Sequence, residues 1–155
     1  MTSRQRLWAP WRTTYLSRNT PGLRCIFCAA IRSRADRKHR VLARGRQVFA
    51  ILNVYPYNNG HLLIAPKRHI GTLADVRPEE WIELLRMLQR FTRQLQQTLR
   101  PQGFNLGINL GRLAGAGIPG HLHVHLVPRW KGDTNFMPVV AKTKVISQSL
   151  DALYT

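Results

Sequence analysis

Between His121 and Leu126 the chain alternates strictly, with imidazoles at His121, His123 and His125 and aliphatic side chains at Leu122, Val124 and Leu126. A period of two belongs to an extended strand, whose successive side chains leave on opposite faces. The alternation predicts a strand over His121–Val127, with three imidazoles on one face and the aliphatic set buried on the other. Histidine titrates nearest neutrality and serves as acid, base, nucleophile or metal ligand. Three histidines scattered over a surface by chance are the plain alternative. Their position directly after a glycine-rich segment turns the reading toward an active site or a metal site.

The rest of the chain supplies partners for such a strand. Gln47–Leu52 and His61–Ala65 read as two strands around the turn-rich Asn53–Gly60, the second ended by Pro66. They make an antiparallel pair. Pro78-Glu79-Glu80 opens a helix, because proline suits the first turn and acids complement its dipole. Trp81, Leu84, Leu85, Leu88, Phe91, Leu95 and Leu99 follow as one apolar stripe, and Pro101 and Gly103 stop it. Phe104–Asn109 is a further strand, joined to the histidine strand by Leu110–Gly120. Strands, one long helix and strands again predict an α+β fold with an antiparallel sheet. With 155 residues, 44% of them hydrophobic, a single domain can bury a real core. Residues 1–22, with Trp8, Trp11 and Tyr15, are expected to wrap it, 23–130 to form its core and 131–155 to extend it. No apolar run is long enough to span a bilayer, and the N-terminus lacks the apolar segment of a signal peptide, so a soluble, cytoplasmic protein is expected.

Charge and cysteine narrow the chemistry. Lys+Arg 24 against Asp+Glu 7 gives a net charge of +17. Such a field draws phosphates, whether on a nucleotide, a nucleic acid or a membrane surface, although a solvated arginine-rich surface explains it equally well. The seven carboxylates are too few to support a paired-carboxylate mechanism or an all-carboxylate magnesium cage. The two cysteines stand in Cys25-Ile26-Phe27-Cys28. That spacing suits a redox pair, half of a zinc site or two inert buried thiols. No thioredoxin-like strand–helix setting surrounds it, and a zinc site would need two further ligands from histidine or carboxylate. Before His121 lies Gly111-Arg112-Leu113-Ala114-Gly115-Ala116-Gly117-Ile118-Pro119-Gly120, whose main-chain N–H groups can approach phosphate oxygens.

Together these residues resemble the histidine-triad nucleotide-binding family. The resemblance rests on the triad with its trailing apolar pair, Asn53, Asn59-Gly60-His61, Pro66-Lys67-Arg68-His69, Gly103-Phe104-Asn105, Pro128-Arg129-Trp130 and Gly132-Asp133-Thr134-Asn135-Phe136. It spans roughly Trp8 to Leu150 and is nearest the bacterial branch that includes diadenosine-tetraphosphate phosphorylases. It implies double displacement at an α-phosphate. His123 would attack phosphorus to form a nucleotidyl-histidine, which water or inorganic phosphate would release. His125 would contact the phosphate or leaving group, Asn53 the ribose hydroxyls and Asn109 the phosphate side. The main chain of Gly115, Ala116, Gly117 and Ile118 would cradle phosphate, with His61 beside the active site or as a hydrogen-bonded core histidine. Where many relatives carry Gln or Ser near Gly117 or Ile118, this chain offers no polar side chain. The resemblance further implies a structural Cys2His2 zinc held by Cys25, Cys28, His69 and His121, no organic cofactor, and a homodimer. The long helix and the strand edges are the candidate interfaces. Because carboxylates are scarce, a backbone carbonyl is expected to hold the second nitrogen of His123. The competing readings are a non-catalytic basic nucleotide- or nucleic-acid-binding protein and a hydrolase of adenylated substrates, either nucleoside phosphoramidates or adenylated nucleic-acid ends.

Overall fold

The computed structural model describes residues 25–133 and 148–154; the expected wrapping segment over 1–22 and residues 134–147 of the expected extension lie outside them. Five strands, β1 (Val41–Arg44), β2 (Val48–Leu52), β3 (Leu62–Pro66), β4 (Gly103–Ile108) and β5 (Val124–Arg129), form one sheet in the order β1-β2-β3-β5-β4. Every pairing is antiparallel. Helices α1 (Ile26–Arg32) and α2 (Asp36–His39) precede the sheet, α3 (Pro78–Thr98) crosses between β3 and β4, and α4 (Leu150–Tyr154) follows. The α+β architecture expected from the sequence is the observed one. Among the described residues no helix is long and apolar enough to cross a membrane.

Alternation along the strands builds two different faces. Val48, Ala50 and Leu52 of β2, Leu62 and Ile64 of β3, and Val124 and Leu126 of β5 meet Leu84, Met87, Leu88, Phe91 and Leu95 of α3 in the larger core. Phe49, Ile51, Leu63 and Ala65 face the other way and meet Phe27 and Ala30 of α1. The helix stripe is narrower than its sequence suggests. Leu85 stands 57% exposed, because the sheet is reached from the row Leu84, Leu88, Phe91 and Leu95, and one residue further round the helix points away. Gly60, at φ +69°, closes the turn into β3, where a Cβ would stand 2.7 Å from Leu99 Cδ1.

The histidine strand begins later than the alternation predicts. Regular pairing covers Val124–Arg129, and His121–His123 form an extended lead-in. In the register Ile64↔Val124, the residue across from Leu122 would be Pro66, which has no N–H to offer. Leu122 N–H donates instead to the Ile70 carbonyl, at 2.6 Å. The alternation itself survives: Leu122, Val124 and Leu126 are all buried.

Carboxylates serve the framework. Glu80, fully buried, takes both forks of the Arg68 guanidinium at 2.7 Å and also accepts the Arg77 N–H at 2.8 Å, closing the first turn of α3. Glu83 accepts Arg46 N–H and Gln47 N–H at the β1–β2 turn, and a Cβ on Gly45 would collide with its carboxylate. The hydrogen-bonded Arg68 guanidinium holds the Glu80 carboxyl below the usual range. Its stabilising contribution is therefore complete above about pH 4.3 and fades as pH falls through the lowered native value. Glu80→Gln is expected to cost about 3 kcal/mol at pH 7, the low end for a broken buried pair, because Arg68 is one-third exposed. Urea unfolding should show a difference that shrinks in acid.

Candidate active site and metal centre

The antiparallel register brings the end of β3 beside the start of β5, so the loop carrying His69 and the lead-in carrying His121 leave the sheet together. Cys25 caps α1 and Cys28 lies one turn inside it, so both thiols project to one side. The four donor atoms of Cys25, Cys28, His69 and His121 lie within 4.8 Å of one another. Cys25 Sγ is 3.3 Å from His121 Nδ1, Cys28 Sγ is 3.3 Å from His69 Nδ1, and Cys28 Sγ is 3.7 Å from His121 Nδ1. Sulfur and nitrogen ligands on one tetrahedral ion of zinc's size stand about 3.6 Å apart. This group could hold a metal ion. His121 is already oriented for it, since its Nε2 lies 2.8 Å from the Pro66 carbonyl, which leaves the Nδ1 lone pair toward the thiols. Burial pushes the His121 imidazole down to about 4, keeping it neutral, and raises the Cys25 thiol.

His123 lies between this cluster and His125. Its Nδ1 is 2.7 Å from the His121 carbonyl, so a main-chain acceptor does hold that nitrogen. A carbonyl oxygen only accepts, which places the proton on Nδ1 and the lone pair on Nε2. The ring is 5% exposed, and burial lowers its pKa. Phe27 of α1 packs against both His121 and His123, at 4.9 Å between ring centroids in each case. Phe27 lies inside the Cys25–Cys28 spacing, on a helix of seven residues that no sequence periodicity marks.

His125 follows, its ring 5.0 Å from that of His123. Gly107 of β4 is its cross-strand neighbour, and among the described residues a Cβ there would meet nothing within 4 Å. His61 shares the same sheet face, with its Nε2 2.9 Å from His125 Nδ1, and Tyr57 stacks on the His125 ring. Asn53 Oδ1 accepts the Tyr55 N–H at 2.9 Å, an Asx turn, while its amide lies 3.3 Å from His61 Nδ1. The structure thus gathers His61, His123, His125 and Asn53 in one place.

The glycine-rich loop uses some of its own main-chain N–H groups. The Gly115 N–H donates to the Arg112 carbonyl and the Ala116 N–H to the Gly111 carbonyl, so two of the four N–H groups expected to face phosphate close turns within the loop. Gly111 and Gly115 both adopt positive φ, +81° and +91°, and Ile118 packs into the α1 side of the core. Asn109 holds the loop through the Gly115 carbonyl, at 3.4 Å.

Comparison with known proteins follows the same outline. The chain is 42% identical to the AP-4-A phosphorylase of Mycobacterium tuberculosis, across 94% of its own length and 78% of that protein's. Among solved structures it resembles a Zn-bound histidine triad family protein from Mycobacterium smegmatis, with TM-score 0.65 and 25% identity over 86% of this chain and 90% of that one. It also resembles a histidine triad nucleotide-binding protein from Sulfolobus tokodaii, with TM-score 0.66 and 27% identity over 84% and 87% of the two chains. The HIT domain family model matches residues 34–132, and the chain belongs to the HIT-domain family.

Proposed function

We propose that the chain transfers a nucleotidyl group from dinucleoside polyphosphates through a covalent intermediate on His123. The observation that carries this reading is the fixed tautomer of His123, whose Nδ1 is tied to the His121 carbonyl and whose Nε2 keeps its lone pair. Attack by Nε2 on an α-phosphorus forms the P–N bond as the P–O bond to the oligophosphate breaks. The departing oxygen keeps the electron pair. Inorganic phosphate or water then attacks the same phosphorus and returns the lone pair to Nε2. His125 faces the phosphate oxygens, Asn53 the ribose, and the main chain of Gly117 and Ile118 completes the phosphate contacts. The fit of Cys25, Cys28, His69 and His121 supports zinc as the resident ion, a structural tie between α1 and the catalytic lead-in.

The similarity to an AP-4-A phosphorylase favours phosphate as the acceptor. Incubation with diadenosine tetraphosphate and phosphate should give ADP and ATP; hydrolysis would give AMP and ATP. Strongly salt-dependent nucleic-acid binding without turnover would support the non-catalytic alternative instead.

The protein is further proposed to form a homodimer. β4 is an edge strand with Leu106 54% exposed, and Ile82 and Leu85 stand exposed on α3. Among the described residues no strand pairs with the outer edge of β4, and an edge beside apolar side chains suits a second copy of the chain. Light scattering should give the mass of two chains, and Leu106→Lys combined with Leu85→Glu should give that of one.

A further inference from the structure

We propose that the outer face of α3 binds the phosphate backbone of a nucleic-acid duplex through Arg86, Arg90 and Arg93. On a helix of 3.6 residues per turn these three fall within about 60° of one another. They lie about half a turn round from Leu84, Leu88, Phe91 and Leu95, which hold α3 against the sheet. All three are exposed, as are Gln89 and Gln97 on the same side. Ile82 and Leu85 border the stripe. Arg46 adjoins it from the β1–β2 turn, exposed and with its N–H donating to Glu83, about one turn before Arg86.

The helix itself gains nothing from this stripe. Arg86 and Arg90 stand at i,i+4 and Arg90 and Arg93 at i,i+3, where like charges repel. Cations complement a helix dipole in its last turn, and α3 has no basic residue there. Neighbouring acids do not neutralise it either. Among the described residues the ion pairs join Arg40 to Asp151, Arg44 to Asp36, Arg68 to Glu80 and Arg129 to Asp133. Glu83 has its two oxygens on the Arg46 and Gln47 N–H groups, and Glu79 stands about two turns before Arg86. The Arg90 guanidinium lies 5.6 Å from the centre of the Phe91 ring. An extended anion laid along the stripe relieves the repulsion among the three arginines.

Charge and shape select the occupant. The row from Arg86 to Arg93 covers about 10 Å, three steps of a duplex strand at about 3.4 Å per phosphate. Guanidinium and amide groups are common donors to phosphate oxygens. The stripe carries no aromatic side chain on which an unpaired base could stack, so it reads the backbone and not the bases. A helix lying on a lipid surface buries its apolar face there, whereas that of α3 is turned to the sheet. The imidazoles occupy the other side of the sheet, against Phe27 of α1, so duplex and nucleotide do not compete.

The test follows the fluorescence anisotropy of a labelled, mixed-sequence DNA duplex titrated with the full chain. Binding should weaken about 40-fold between about 50 and 200 mM KCl, the dependence expected of three phosphate contacts. Arg86→Gln, Arg90→Gln and Arg93→Gln together retain good helix formers, and should weaken low-salt binding at least about tenfold and flatten the salt dependence. Should that variant fail to fold, each single substitution should lower the salt slope by about one. Arg32→Gln, Arg34→Gln and Arg37→Gln together remove the same charge from the region of α1 and α2, and should keep the salt dependence. Equal losses in the two triple variants would show a diffuse effect of net charge and overturn the proposal. Failure to bind duplex at low salt would overturn it too, as would binding to phosphatidylglycerol vesicles alone. Turnover of diadenosine tetraphosphate should be the same with and without duplex. Competition between them would place the nucleic acid at the imidazoles and overturn the assignment to α3.

Discussion

His123→Ala is expected to lower turnover of a dinucleoside polyphosphate by at least about 10⁴-fold, the scale on which removal of a nucleophile acts in double-displacement enzymes. The loss should fall on kcat, because the substitution removes the proposed attacking lone pair and leaves the proposed nucleotide contacts of Asn53 and the loop main chain in place. His123 contributes nothing to the Cys25, Cys28, His69 and His121 group, so metal content should be unchanged. Its side chain touches Phe27, and truncation of the ring is expected to cost about 1–3 kcal/mol of stability. The variant should therefore fold, bind nucleotide and fail to turn it over. Steady-state kinetics beside a nucleotide-binding titration separates these effects. A fully active variant would remove His123 from the mechanism.

Removing the proposed metal is expected to have the second large effect, through the framework. An ion held at a free concentration about a thousand times its Kd adds about 4 kcal/mol to folding stability. At the usual entropy of unfolding for a chain of this size, that corresponds to a fall of about 10 °C in Tm on chelation. Cys28→Ser should reproduce the shift and make the protein insensitive to chelator. Activity should fall with it. The His121 carbonyl that orients His123 belongs to a proposed ligand residue, and Phe27, packed on both rings, sits between the two thiols in sequence. Differential scanning fluorimetry with and without chelator reads the first effect. An unchanged Tm in metal-free protein would count against the zinc proposal.

How much of this was legible in the sequence depended on whether the signal was local. The alternation at His121–Leu126 and the stripe of α3 reported the sheet and its covering helix, because period alone carries that information. The start of β5 was not legible in the same way. It depends on Pro66, which is distant in sequence and reaches the histidines only through the β3–β5 register. The candidate metal group was legible through family resemblance, which names all four residues; the Cys25-x-x-Cys28 spacing alone offers two, and the fold brings His69 and His121 beside them. α1 itself was missed, since its seven residues are too short to show a period. The contact of His61 with His125 depends on the pairing of β3 with β5, which no local pattern reports.

The central claim is that the nucleotide passes through a covalent bond to His123. The direct measurement is rapid quenching of the enzyme with dinucleoside polyphosphate in the absence of phosphate, followed by mass spectrometry of the intact chain and of its peptides. One nucleoside monophosphate adduct per chain is expected, mapped to His123, absent in His123→Ala and discharged when phosphate is added. Rapid turnover with no adduct at any quench time, or an adduct on another residue, would contradict it.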